Sequence, residues 1–253
     1  MQYSAVACTD VGIVKETNQD SVCLIHASSS VGEIVMAIIC DGMGGLSKGE
    51  LASATVIRAF DEWFQNELPT ELVSLDMHVI AGKWELLLKD LNGKIMEYGK
   101  QQQSSLGTTF TGMLIVGSEF LIVHVGDSRA YYVGNALKQM TKDHTFIARE
   151  IEMGRMTPEQ AAIDERRNVL LQCVGASKSI NAQILVGKMI PGVYLLCSDG
   201  FRHKVSEREM QGAFQKEQLV DTEVMQSRAN SVISAVKKRG EKDNISVILI
   251  KAE

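Results

Sequence analysis

Apolar residues come in short runs over Tyr3–Thr9, Ser21–Ala27 and Ile34–Cys40, and these runs predict three β-strands. The period then changes. From about Lys48 to Phe64, Ala52, Val56, Phe60, Trp63 and Phe64 recur on one face of a predicted helix, and Pro69 marks its exit. A second long helix is expected from about Val79 to Gln102, its stripe being Ile80, Trp84, Leu87, Leu88, Leu91, Ile95 and Tyr98. Strands follow over Thr108–Val116, Glu119–Val125 and Ala130–Tyr132, with hairpin signals at Gly117-Ser118 and Gly134-Asn135. From Thr141 to Ser179 the pattern becomes charged and weakly periodic, with one helix start at Thr157-Pro158. Strands return at Ala182–Lys188 and Val193–Cys197. A helix over about Thr222 to Lys238 carries Val224, Met225, Arg228, Ala229, Val232, Ile233 and Val236 in register, and the strand Asn244–Ile250 follows.

Strands and helices therefore come in blocks, without strict βαβ alternation. Hairpin-linked strands imply antiparallel pairing, with helices segregated to outer faces. The expected class is α+β: two packed antiparallel β-sheets flanked by helices, an α-β-β-α sandwich, with a helical insertion at about 141–180. Without repeats, low-complexity stretches or a Pro/Gly/Ser linker, residues 1–253 are expected to form a single domain.

Composition narrows the partners. A hydrophobic content of 45% and a charged content of 23% supply an ordinary globular core. The net charge of −5 and the lack of a basic stripe argue against nucleic acid and anionic membranes. No apolar run approaches the roughly 18 residues of a membrane span. Met1–Cys8 shows neither a charged leader nor an apolar signal core, so the cytoplasm is expected. The five cysteines form no Cys-x-x-Cys pair, and Cys40 and Cys197 read as small core residues.

Aspartates mark the ends of the strand runs. Asp41 follows Ile34–Cys40, Asp199 follows Tyr194–Ser198, Asp127 follows Phe120–Gly126, Asp243 precedes the last strand and Asp20 precedes Ser21–Ile25. Five carboxylates gathered at one rim repel unless cations neutralise them, and all-oxygen ligands select Mg²⁺ or Mn²⁺. Any one of them alone reads as a turn or cap residue; the recurrence points to a metal-dependent hydrolase.

In chain order the motifs are Asn18-Gln19-Asp20, Asp41-Gly42-Met43-Gly44-Gly45, Gly107-Thr108-Thr109, Gly126-Asp127-Ser128-Arg129, Ser198-Asp199-Gly200 and Asp243-Asn244. Their order and spacing, from about Val6 to Ile250, resemble the type 2C (PPM) family of metal-dependent protein serine/threonine phosphatases, in its compact bacterial form. The resemblance implies hydrolysis of phosphoserine and phosphothreonine by direct attack of a metal-bridging water or hydroxide. It makes Asp41 the ligand bridging two Mn²⁺ or Mg²⁺ ions, Gly42 a carbonyl ligand of the second, and Asp199 and Asp243 ligands of the first. Asp20 then orients the water, and Asp127 shares a third ion with Asp199 in bacterial members. Lys15 falls where an arginine usually grips the substrate phosphate. The segment at 141–180 matches the family's flap. Implied partners are phosphorylated proteins and a cognate serine/threonine kinase, with the chain acting as a monomer.

The chain departs from the family pattern at several positions. Lys15 offers a point charge where arginine makes a planar fork. Met43 stands where some members have a histidine that protonates the leaving group. In the flap, Asp164-Glu165 stands for the common His-Pro and Gln172 for arginine, and His203 replaces a frequent aspartate. These bear on substrate preference more than on chemistry. The glycines up to Ser47 partly imitate a dinucleotide fingerprint, but Asp61, at the acidic spacing, falls inside the predicted helix. His124 and His144 read as structural, Trp63 and Trp84 as core. The rival class is a phosphatase-like regulatory module without catalysis, whose signature is lost metal ligands; every matched ligand is present. A phosphatase for small phosphoesters is the intermediate alternative.

Overall fold

The computed structural model describes residues 1–44 and 48–253. Gly45 of the glycine-rich motif and Ser47 lie outside the described residues. The strands are β1 (Tyr3–Asp10), β2 (Asp20–Ser29), β3 (Gly32–Gly44), β4 (Leu106–Thr108), β5 (Phe110–Val116), β6 (Glu119–Val125), β7 (Arg129–Val133), β8 (Leu137–Gln139), β9 (Gln183–Lys188), β10 (Gly192–Cys197) and β11 (Ile245–Ala252). One sheet runs β1-β11-β10-β7-β8; the other runs β2-β3-β5-β6-β9, with β4 beside β3. Pairing between these strands is antiparallel, through tight hairpins at β2–β3, β5–β6 and β7–β8 and through longer connections elsewhere.

Period-2 alternation divides the core into three layers. Along β3, Ile34, Met36, Ile38 and Cys40 face outward onto helices α1 (Lys48–Asn66) and α3 (Met77–Gln101), joined by α2 (Leu68–Glu71). Val35, Ala37 and Ile39 face inward, against Tyr194, Leu196, Ile248 and Ile250 of the other sheet. The outer face of that second sheet carries Leu195, Cys197, Val247 and Leu249 under α6 (Asp199–Arg202), α7 (Glu207–Ala213) and α8 (Thr222–Lys238). Helices α4 (Phe146–Glu152) and α5 (Pro158–Ile163) sit in the insertion between β8 and β9.

The α+β sandwich expected from the sequence is the fold observed, and several boundaries differ from expectation. The long strand predicted over Thr108–Val116 breaks at Thr109, because β3 changes partner from β5 to β4 there. Asp41 lies inside β3 and not at its end. Pro69 sits within α2, where its missing N–H costs nothing in the first turn. Tyr98 of the α3 stripe is exposed. Helix α7 was not legible from apolar periodicity, yet its start carries a capping box: Ser206 accepts from the Glu209 backbone N–H and Glu209 accepts from that of Ser206. Thr157 and Pro158 open α5 as expected, with a second capping box through Gln160. No helix of the described residues is long and apolar enough to cross a membrane.

Candidate active site

The same alternation that fills the inter-sheet layer also ends it. Counting on by two from Val35, Ala37 and Ile39 reaches Asp41; counting back from Leu24 and Val22 reaches Asp20. On the opposite sheet Tyr194 and Leu196 lead to Ser198, and Ile250 and Ile248 lead back to Ser246. One end of an apolar layer thus becomes a polar cluster, with Asp20 and Asp41 directly opposite each other in the β2–β3 register.

Backbone contacts hold these groups rigidly. Thr109 donates its N–H to the Asp41 carbonyl at 2.9 Å, and its hydroxyl accepts from the Asp41 N–H at 2.9 Å. Gly42 has no room for a side chain: a Cβ there would lie 2.3 Å from the Gly49 carbonyl and 2.5 Å from that of Gln19. The Asn244 amide accepts from the Gln19 N–H at 2.9 Å and donates to the Val11 and Thr17 carbonyls at 2.9 and 3.2 Å, which pins the loop before β2 to the start of β11.

Asp20 receives the hydroxyls of Ser246 and Ser198 on Oδ2, at 2.6 and 2.9 Å. Its Oδ1 is buried without any partner, and so is Oδ1 of Asp199. Burial is the first cause that pushes the Asp20 carboxyl up to about 7; the two hydroxyls oppose it, while Asp199 and Asp243 add to it. Burial raises Asp41 well above the carboxylate range, with Asp20, Asp199, Asp127 and Asp243 repelling its charge. Asp127, in the β6–β7 turn, is likewise raised to about 7 by burial and by Asp199, although Arg202 pulls it down. The five sequence-predicted aspartates are therefore brought within electrostatic reach of one another, and Asp41, Asp127, Asp199 and Asp243 line one cleft of about 900 Å³.

Lys15 is placed less simply. Its Nζ lies 3.1 Å from Asp243 Oδ1, both side chains being about two-fifths exposed. Burial lowers its basicity, but Asp243, Asp41 and Asp199 outweigh that and raise it. Lys15 does not line the cleft; Lys178 does, together with Asn168, Gln172 and Asn181 of the insertion. Sequence reading missed Lys178, because an isolated lysine in a charged segment carries no signal until the chain folds back. His124 is a fully buried structural residue between Thr111 (2.9 Å) and the Lys142 carbonyl (3.1 Å). Burial, then His144, lowers it to about 3, so it is neutral at pH 7. His144 accepts the Gly126 N–H at 3.2 Å and braces the turn before Asp127.

The chemistry of this donor set fits a hard, hydrated divalent cation. Oδ1 of Asp20 and Oδ1 of Asp199 are buried with no protein donor, and burial and neighbouring carboxylates penalise the charged forms of Asp20 and Asp41. Among the described residues no three His, Cys, Asp or Glu side chains close into a cage. A cleft lined by the carboxylates of Asp41, Asp127, Asp199 and Asp243 suits hard ions that keep several waters and bind one or two carboxylates each.

The serine/threonine phosphatase stp of Listeria monocytogenes is 28% identical over 97% of this chain and 94% of its own length. The crystal structure of the serine/threonine phosphatase Stp1 from Staphylococcus aureus superposes with a TM-score of 0.86 at 25% identity, covering 100% of this chain and 96% of that one. The catalytic domain of the serine threonine protein phosphatase PstP, solved in complex with two manganese ions, gives a TM-score of 0.79 at 27% identity, covering 98% and 97%. The family model described as protein phosphatase 2C matches residues 13–249. With that model spanning nearly all of the sequence, and the aspartate-rimmed sandwich as its physical counterpart, this chain belongs to the protein phosphatase 2C family.

Proposed function

We propose that this chain is a protein serine/threonine phosphatase dependent on two divalent ions, Mn²⁺ or Mg²⁺. The observation that carries this reading is the cluster of buried, unpaired carboxylate oxygens at the open end of the inter-sheet layer. Asp41, Asp199, Asp243 and the Gly42 carbonyl are the groups that would hold the ions. Bound there, the ions supply an acidified water and neutralise phosphoryl charge. Asp20 is fixed through Oδ2 by two serine hydroxyls, which leaves Oδ1 to orient that water and take its proton.

The insertion at 141–180 serves in this reading as a flap that shapes one wall of the cleft and selects protein substrates; its residues 168, 170–173 and 176–179 contribute most of the lining. The natural setting proposed is the cytoplasm, with the chain acting as a monomer against a serine/threonine kinase. After exhaustive dialysis against EDTA, turnover of p-nitrophenyl phosphate and of a phosphothreonine peptide is expected to vanish and to return with added Mn²⁺. Full turnover in excess EDTA would sink the metal assignment.

The two lysines separate by kinetics. If Lys15 grips the phosphate, Lys15→Ala raises KM for a phosphopeptide several-fold with a smaller change in kcat, since the contact exists in both ground and transition states. Lys15→Arg lowers KM by restoring a bidentate fork. Lys178→Ala affects phosphopeptide more than p-nitrophenyl phosphate, because it belongs to the insertion that forms one wall of the cleft. Unchanged KM in both Lys15 variants assigns the grip elsewhere. As the Lys15–Asp243 pair is exposed, its loss costs stability at most about 1 kcal/mol.

A further inference from the structure

We infer that Arg202 fills, with its own guanidinium, the place of a cation beside Asp127, so that this chain holds two divalent ions where a third would otherwise bind. The inference rests on the metal-dependent reading above and concerns only the Asp127 corner of the cleft.

Arg202 follows Asp199 by three residues on α6, and that spacing puts both side chains on the same side of the helix. It is largely buried, and its Nη2 donates to the Asp127 carbonyl at 3.0 Å. The same nitrogen lies 3.7 Å from Oδ2 of Asp127 and 3.7 Å from Oδ2 of Asp143. Asp143 is itself held in a bidentate pair by Arg129, at 2.8 and 2.7 Å. Two carboxylates thus face two guanidinium groups, and their formal charges cancel without any ion.

The rest of the rim is built differently. Asp20 is met only by hydroxyls, and Asp20 and Asp199 each keep a buried oxygen without a partner. Asp41 is buried, and Asp20, Asp199, Asp127 and Asp243 all oppose its charge. Among the described residues no guanidinium pairs with Asp20 or Asp41, whereas Arg202 comes within 3.7 Å of the Asp127 carboxylate and hydrogen-bonds its backbone carbonyl. The Arg202 side chain is buried to the point that its Nε has no acceptor. A divalent ion on Asp127 would sit a few ångströms from a fixed positive charge, and such a repulsion weakens binding by about tenfold or more. Arginine does not lose its proton to relieve it.

The test is a count of bound Mn²⁺ by equilibrium dialysis, with free Mn²⁺ followed by electron paramagnetic resonance. The wild-type chain is expected to bind two ions, Arg202→Gln three, and Arg202→Lys, which keeps the charge, two. Asp127→Asn in the wild-type background is expected to leave the count at two. Three ions on the wild type, or loss of one ion in Asp127→Asn, would overturn the inference while leaving the two-ion reading intact. A count of two in a folded Arg202→Gln would also overturn it. No ions bound to the wild type would instead overturn the metal-dependent reading itself. Circular dichroism establishes that each variant is folded; if Arg202→Gln is not, the Asp127→Asn count decides alone.

Discussion

Asp41→Asn lowers kcat by about a hundred- to a thousandfold or more at saturating Mn²⁺, while the chain stays folded. The size follows from removing one preorganised charge from the centre of the site, a class of change that costs about 10²–10³ in rate. The fold survives because Asp41 is held by its backbone: its N–H and carbonyl are bonded to Thr109, and the amide side chain of asparagine has the same shape. Without divalent ions the variant is expected to be at least as stable as the wild type. Asp20, Asp199, Asp127 and Asp243 all oppose a charge at position 41, and the substitution removes that repulsion. Steady-state kinetics and thermal melts check both halves. A near-native kcat, or a melting point several degrees lower in EDTA, would show that Asp41 is a structural residue and not a ligand.

The second large effect lies far from the chemistry. Trp84 is fully buried between α3 and the sheet, with its ring centroid 4.9 Å from Phe60, 5.6 Å from Trp63 and 6.1 Å from Phe110, near-perpendicular to each. Gly112 of β5 leaves the notch that receives it: a Cβ there would lie 2.9 Å from the indole. Trp84→Ala is expected to destabilise the chain by about 3–5 kcal/mol, because the rings around the void cannot all collapse into it. For a chain of this size that corresponds to a fall in melting temperature of roughly 10 °C. Urea denaturation measures it directly. A loss under about 1 kcal/mol would mean that the site repacks and that the helix layer is held by other contacts.

Trp84 and Asp41 also show how differently the two kinds of residue could be read from sequence. Trp84 lies in a helical stripe, and a local period of 3.6 suffices to assign it to the core. Asp41 stands after an apolar run, and sequence placed it at a strand end; in the structure β3 continues three residues beyond it. Strand pairing decided this, because β4 joins β3 only after β5 has left it at Thr109. Lys15 was legible as a residue near the phosphate by resemblance alone, and its contact with Asp243 spans most of the chain. Arg202 and Lys178 carried no local signal. Helix α7 did carry one, in Ser206 and Glu209, but its seven residues are too short for periodicity to show.

What the sequence determined by itself was set by local geometry: alternating strands, most of the buried faces of α1, α3 and α8, the hairpin turns, and the identity of the carboxylates. These depend on periods and caps spanning a few residues. Tertiary structure alone decided which charges meet. Asp20 finds Ser198 and Ser246 across the sandwich, Asp127 finds Arg202, and Lys178 comes to the cleft from the insertion. Such encounters depend on strand order and layer packing, which no window of sequence contains, and charge interactions at a few ångströms are set by those placements rather than by the residues' own preferences.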